Sequence, residues 1–138
     1  MAYRVFDHTA DLGIEVTAAT LEELYAEAAH ALFALLTDLR RVGAGQSREV
    51  KAEGENPADL LVNFLRELLY AWNGERFLMK RCAIREVTPT RITAVLSGEK
   101  FDPARHRIVR EIKAVTYHRS ELRRTADGGY AARAVFDV

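Results

Sequence analysis

Hydrophobic and polar positions change their spacing along this chain in a readable order. Tyr3 to His8 alternates loosely, and Leu12-Gly13-Ile14-Glu15-Val16-Thr17 alternates apolar with polar, so each predicts a strand. The short link Thr9-Ala10-Asp11 lies between them. Thr20-Leu21-Glu22-Glu23 is a capping box, in which a hydroxyl and a carboxylate three residues on satisfy free helix amides. From there Leu21, Leu24, Tyr25, Ala28, Leu32 and Leu35 recur at helical spacing to about Asp38, and Gly43 and Gly45 mark the exit. Ser47 to Glu53 is a short, mostly polar strand, suited to a sheet edge where charges discourage pairing with other chains.

Asn56-Pro57 opens a second helix that should end at Gly74, because Asn caps, Pro suits the first helical position and Asp59 complements the dipole. Leu60, Leu61, Phe64, Leu65, Leu68 and Trp72 form two adjacent apolar stripes, too wide for a helix lying on solvent, so this helix is expected at the centre of the core. Beyond Arg81 the pattern is β-rich. Strands are predicted over 82–88 and 92–97, then a loop over 98–106, a long strand over 108–118, and a last pair, 122–126 and 130–138, flanking Asp127-Gly128-Gly129. This order predicts an α+β fold with two helices packed on antiparallel β-sheet.

The length, 138 residues, is that of one domain, 1–138, by the usual range of about 100–200. The 49% hydrophobic and 29% charged fractions argue against disorder. Twenty basic residues balance twenty acidic ones, which disfavours binding to nucleic acid by bulk phosphate neutralisation. The balance is uneven along the chain: residues 1–79 hold 7 basic and 13 acidic side chains, and residues 80–138 hold 13 and 7. Either the two halves attract across their packing, or the surface is two-signed and orients a partner. Cys82 is the one cysteine and can form no internal disulfide; no apolar run of about 18 residues and no secretion signal is evident. A cytoplasmic protein without a membrane partner is expected.

No phosphate loop, dinucleotide fingerprint, nucleophile elbow or paired-cysteine motif occurs. What remains is a cluster of oxygens at strand ends. In Ala134-Val135-Phe136-Asp137-Val138, alternation puts Phe136 on one face and Asp137 on the other, with the Val138 main-chain carboxylate close by. If the turn bearing Asp11 lies beside this strand, three hard oxygen groups meet, a set suited to Ca²⁺, Mg²⁺ or Mn²⁺. The plainer alternatives are an Asx-turn for Asp11, a water-facing C-terminus, and a turn or core role for His8. In the predicted strand, Glu111, Lys113, Val115 and Tyr117 share one face, while Ile112, Ala114, Thr116 and His118 share the other. Lys113 is either half of a solvated strand pair or a contact for an anionic ligand. Cys82 reads as a small buried side chain.

Phe6-Asp7-His8-Thr9-Ala10-Asp11-Leu12-Gly13, Gly98-Glu99 with Asp102 and His106, Glu111-Ile112-Lys113-Ala114-Val115-Thr116-Tyr117-His118, and Val135-Phe136-Asp137-Val138 together resemble the archease family, in order and over essentially the whole chain. The resemblance implies a small, non-catalytic activator of the RtcB-type, GTP-dependent RNA-splicing ligase. Such a protein promotes guanylylation of the ligase and its turnover in tRNA splicing and RNA repair, and meets tRNA only through the ligase. It also implies a divalent metal ion held by Asp11, Asp137 and Val138, the same oxygen cluster. Val138 stands where the family commonly has Ile, a swap that a main-chain ligand should tolerate. His8, Lys113 and His118 fall on the family's motifs and are expected as partner or nucleotide contacts. Two other readings are a chaperone-like adaptor that stabilises RNA-processing enzymes, and an independent metal-dependent phosphohydrolase built on Asp11, Asp137, His8 and Lys113.

Overall fold

The computed structural model describes residues 2–8 and 11–138, the side chains of residues 7 and 8 excepted. Seven strands and two α-helices follow in the order β1 (Ala2–His8), β2 (Asp11–Ala18), α1 (Leu21–Leu36), β3 (Gln46–Glu53), α2 (Pro57–Glu75), β4 (Phe77–Val87), β5 (Arg91–Lys100), β6 (Ala114–Arg124) and β7 (Tyr130–Asp137). The fold is α+β, as expected, but the strands make two antiparallel sheets. One has the order β1-β2-β7-β6 and the other β3-β5-β4. The polar strand β3 is indeed an edge.

Both helices begin as their caps dictate. The Thr20 hydroxyl accepts from the Glu23 amide at 3.2 Å, and the Asn56 side chain accepts from the Asp59 amide at 2.9 Å. Each helix touches strands of both sheets: α1 packs on β4 and β2, and α2 on β6 and β3. A helix covered from two sides must be apolar over most of its girth, which accounts for the wide stripes. Tyr25 of α1 and Phe64 of α2 meet edge to face at 5.8 Å, and the Tyr25 hydroxyl donates to the Pro57 carbonyl at 3.0 Å. Cys82 is half-buried against this core, and burial pushes its thiol up to about 12, so it stays protonated and inert near neutrality.

The acidic first half and the basic second half interleave. β2 pairs with β7, β3 with β5, and α1 lies on β4, so the charge asymmetry along the sequence is folded into mutual packing. Glu15 on β2 and Arg133 on β7 stand 3.5 Å apart across one such seam.

The predicted strand over 108–118 is corrected. Residues 109–113 are irregular because their polar groups bond to the helices: the Val109 amide donates to the Leu36 carbonyl at 2.9 Å, and the Asn73 amide to the Ile112 carbonyl at 3.0 Å. Ile112 and Val115 are both buried, three residues apart, with Lys113 and Ala114 exposed between them, so the proposed sharing of faces fails. β6 begins at Ala114 and continues through the segment expected as a separate strand from Leu122. Between the pairs Thr116–Val135 and Glu121–Arg133, four residues on β6 oppose Ala134 alone. This bulge, Tyr117 to Ser120, contains Arg119 at φ 57° and is pinned to α2 by the Tyr117 hydroxyl, which donates to the Asn63 side chain at 3.0 Å.

The loop expected over 98–106 starts later, since β5 runs to Lys100. Gly98 sits within the strand where any Cβ would collide with the Leu78 carbonyl oxygen, beside a register shift in β4.

Candidate functional site

Asp11 opens β2 and Asp137 closes β7, and the register sets them directly opposite each other. The row extends on both sides, His8 of β1 being the partner of Asp11 and Ala114 of β6 the partner of Asp137. Opposed residues in antiparallel strands project to one face with Cβ atoms about 4.5–5.5 Å apart, so two carboxylates stand side by side. The next residues inward, Leu12 and Phe136, are 3% and 0% exposed in the core, which turns Asp11 and Asp137 to the opposite, outer face. Ala114 contributes only a methyl group beside Asp137. Two residues from Asp11, Gly13 lets the Phe6 ring lie across the strand where a Cβ would strike it.

Like charges directly opposed are unfavourable unless a cation takes them up. No ion pair to either carboxylate forms among the described residues. The Lys113 amide donates to the Asp137 carbonyl at 2.7 Å, placing Lys113 at the border of the pair with its side chain exposed. Val138, next along the chain, is 39% exposed, so its main-chain oxygens are accessible. His118 is not part of this group: it lies in the bulge of β6, exposed. The side chain of His8 and the link Thr9-Ala10 lie outside the described residues.

The donor chemistry fits a hard divalent cation. Asp11 and Asp137 would offer carboxylates and Val138 main-chain oxygen to such an ion. Among the described residues no group of three His, Cys, Asp or Glu is placed to hold a metal ion, so the two carboxylates would need water or a further ligand to complete a shell.

A second polar centre lies at the end of β5, and sequence spacing alone did not reveal it. Glu99 is 14% exposed at the end of β5. Its Oε2 accepts from the Gly43 amide at 2.6 Å and faces His106 Nε2 at 2.8 Å, while Oε1 accepts from Arg105. His106 Nδ1 accepts from the Asp102 amide at 2.9 Å, which leaves the ring proton on Nε2, pointing at Glu99. The Gly43 amide first, then Arg105 and His106, hold the Glu99 carboxyl down to about 2. These contacts fix residues 99–106 against the chain leaving α1, and thereby the segment that runs on to Lys113. The only signal was the Gly98-Glu99, Asp102, His106 spacing, whose partners lie too far off in sequence to be guessed.

Fold and site together define a small two-sheet α+β protein with an acidic pair at the end of its four-stranded sheet. Comparison with known proteins makes this specific. The model of the Archease protein family matches residues 3–138, and the chain belongs to that family. It is 36% identical over 136 residues to the protein archease of Pyrococcus abyssi, covering 96% of both chains. The solution structure of Methanobacterium thermoautotrophicum protein 1598 superposes with a TM-score of 0.82 at 30% identity, over 99% of this chain and 98% of that one. A crystal structure from Thermotoga maritima, described as an archease and possible chaperone, shares the fold with a TM-score of 0.64 at 23% identity, over 96% and 94% of the two chains. No helix among the described residues is long and apolar enough to cross a membrane.

Proposed function

We propose that this chain is a non-catalytic cytoplasmic cofactor of an RtcB-type, GTP-dependent RNA-splicing ligase. It raises ligase guanylylation and turnover in tRNA splicing and RNA repair, and acts through a divalent ion, Ca²⁺, Mg²⁺ or Mn²⁺, at Asp11, Asp137 and Val138. The observation that carries this reading is the direct register of Asp11 with Asp137. It leaves two carboxylates, without an ion pair among the described residues, on an outer face at the end of a sheet with a strand on each side.

In this reading Asp11 and Asp137 hold and orient the ion, and the Lys113 amide keeps the Asp137 backbone in place. The Lys113 ammonium, exposed at the border, contacts an anionic group of the ligase complex. A bound divalent ion supplies positive charge where charge develops on a triphosphate. The reacting groups belong to the ligase. The paired carboxylates without an evident base of their own are thin equipment for a free-standing phosphohydrolase.

The test is multiple-turnover RNA ligation by a cognate ligase with GTP and divalent ion, with and without substoichiometric amounts of this protein, following guanylylation in parallel. Both should rise, and Asp11→Ala should abolish the rise while keeping a folded circular-dichroism spectrum. Retained stimulation in that variant overturns the metal-centred mechanism. If the intact protein gives no stimulation, but protects the ligase from aggregation without nucleotide, the adaptor reading replaces this one.

A further inference from the structure

The fold leaves a cleft of about 660 Å³ between the C-terminal end of α2 and the segment 108–111. Its size lies within the range of small-ligand sites. Trp72 and Phe101, packed edge to face at 5.6 Å, form its base. Arg76 and Arg110 flank it, and Val109, 58% exposed, is an apolar wall facing solvent.

Arg76 is the informative residue. It ends α2 at φ 57° and ψ 34°, a left-handed conformation in which glycine is favoured and a Cβ is strained. Its backbone has structural duties that glycine could perform equally: the amide donates to the Trp72 carbonyl, and the carbonyl accepts from the Phe101 amide, both at 2.8 Å. An arginine side chain is therefore present at a position where the helix end would be better without it. Its guanidinium lies 4.6 Å over the Trp72 ring, and both residues line the cleft. The adjacent carboxylate, Glu75, is already committed to Arg48. Among the described residues neither Arg76 nor Arg110 has an ion-pair partner, so two guanidinium forks stand free on one opening. Two guanidiniums on one opening, neither of them in an ion pair, are suited to a phosphate.

The rest of the lining asks for more than an anion. The Asn73 amide nitrogen is spent on the Ile112 carbonyl, which leaves its Oδ1 as an acceptor. The Glu111 carboxylate on the opposite wall is a second acceptor. Acceptors beside an apolar wall suit the N–H and O–H groups of a base and ribose, and would repel a second phosphate. We infer that the cleft binds a nucleoside monophosphate, with its phosphoryl group on Arg76 and Arg110 and its base against Val109 within reach of Glu111 and Asn73. The wall that carries Arg110 and Glu111 continues to Lys113 two residues on, so the bound phosphate would lie on the chain segment that leads to the acidic pair.

Trp72 is the sole tryptophan, so its fluorescence reports on this cleft directly. The experiment titrates the isolated full chain with GMP, AMP, guanosine and inorganic phosphate. A nucleoside monophosphate should give a saturable change, with guanosine and phosphate each weaker by at least about tenfold. Arg110→Ala, which leaves the Trp72 contacts intact, and Arg76→Gly should each raise the midpoint by about tenfold or more, and Arg76→Gly should do so without lowering the melting temperature. Absence of a saturable change, unaltered midpoints in both variants, or equal midpoints for phosphate and GMP would each overturn the assignment. The ligase is absent from this measurement, so its result stands apart from that of the activation assay.

Discussion

Asp11 faces Asp137 across two strands, and the repulsion between them is what a neutral substitution relieves. In chelator, Asp11→Asn should therefore melt at a slightly higher temperature than the parent, by about 0.2–1 kcal/mol of stability. On the proposed metal site the order should reverse with Ca²⁺, because only the parent would gain binding free energy in the folded state. Thermal melts with EDTA and with Ca²⁺ give both readings. Glu99 has the opposite character, since its charge is satisfied. Its carboxyl is lowered from 4.5 to about 2 by the Gly43 amide, Arg105 and His106, so the stability it lends is fully present above the ordinary carboxylate range and is lost as pH falls toward 2. Glu99→Gln should be less stable than the parent at neutral pH, and the difference should shrink through that acid window in denaturant titrations at stepped pH. At this scale the sequence was legible where alternation sufficed: Phe136 inward and Asp137 outward follow from period two alone. That Asp11 lies opposite Asp137 depends on a pairing of the first and last parts of the chain, which the family resemblance implied and local spacing could not. Glu99 needed three partners, including one 56 residues away.

Helix starts were the most legible elements, because a cap and its target lie within one turn. Asn56→Ala should cost about 1 kcal/mol, visible as a lower urea midpoint with an unchanged slope. The end of α2 was less legible: Gly74 is the obvious stop, yet the helix continues to Glu75 and closes on Arg76. Segment 108–113 misled for a definite reason. Its residues have strand-like composition, but their hydrogen bonds go to Leu36 and Asn73, and no local pattern records a partner on another element. The same holds for the bulge of β6, where four residues stand against one.

For the whole molecule, composition and element order were enough for an α+β fold, but the division into two sheets was not foreseen. It follows from β7 returning to β2 while β5 lies between β3 and β4, a matter of long-range pairing. The division explains what the sequence left open about charge. Strands of the acidic half pair with strands of the basic half in both sheets, so opposite charges along the sequence meet across β2–β7 and β3–β5.

The bulge in β6 has a further consequence, for what this protein avoids. β6 is an outer strand, and a straight outer strand of eleven residues would offer its free amides and carbonyls to the next molecule in solution. Tyr117 to Ser120 break that ladder in the middle and twist it, so no neighbouring chain can align along its full length. Deleting His118, Arg119 and Ser120 would leave one residue opposite Ala134 and restore a continuous border. The shortened protein should then elute from gel filtration as larger, more concentration-dependent species than the parent, and seed its own sheet-to-sheet growth on standing.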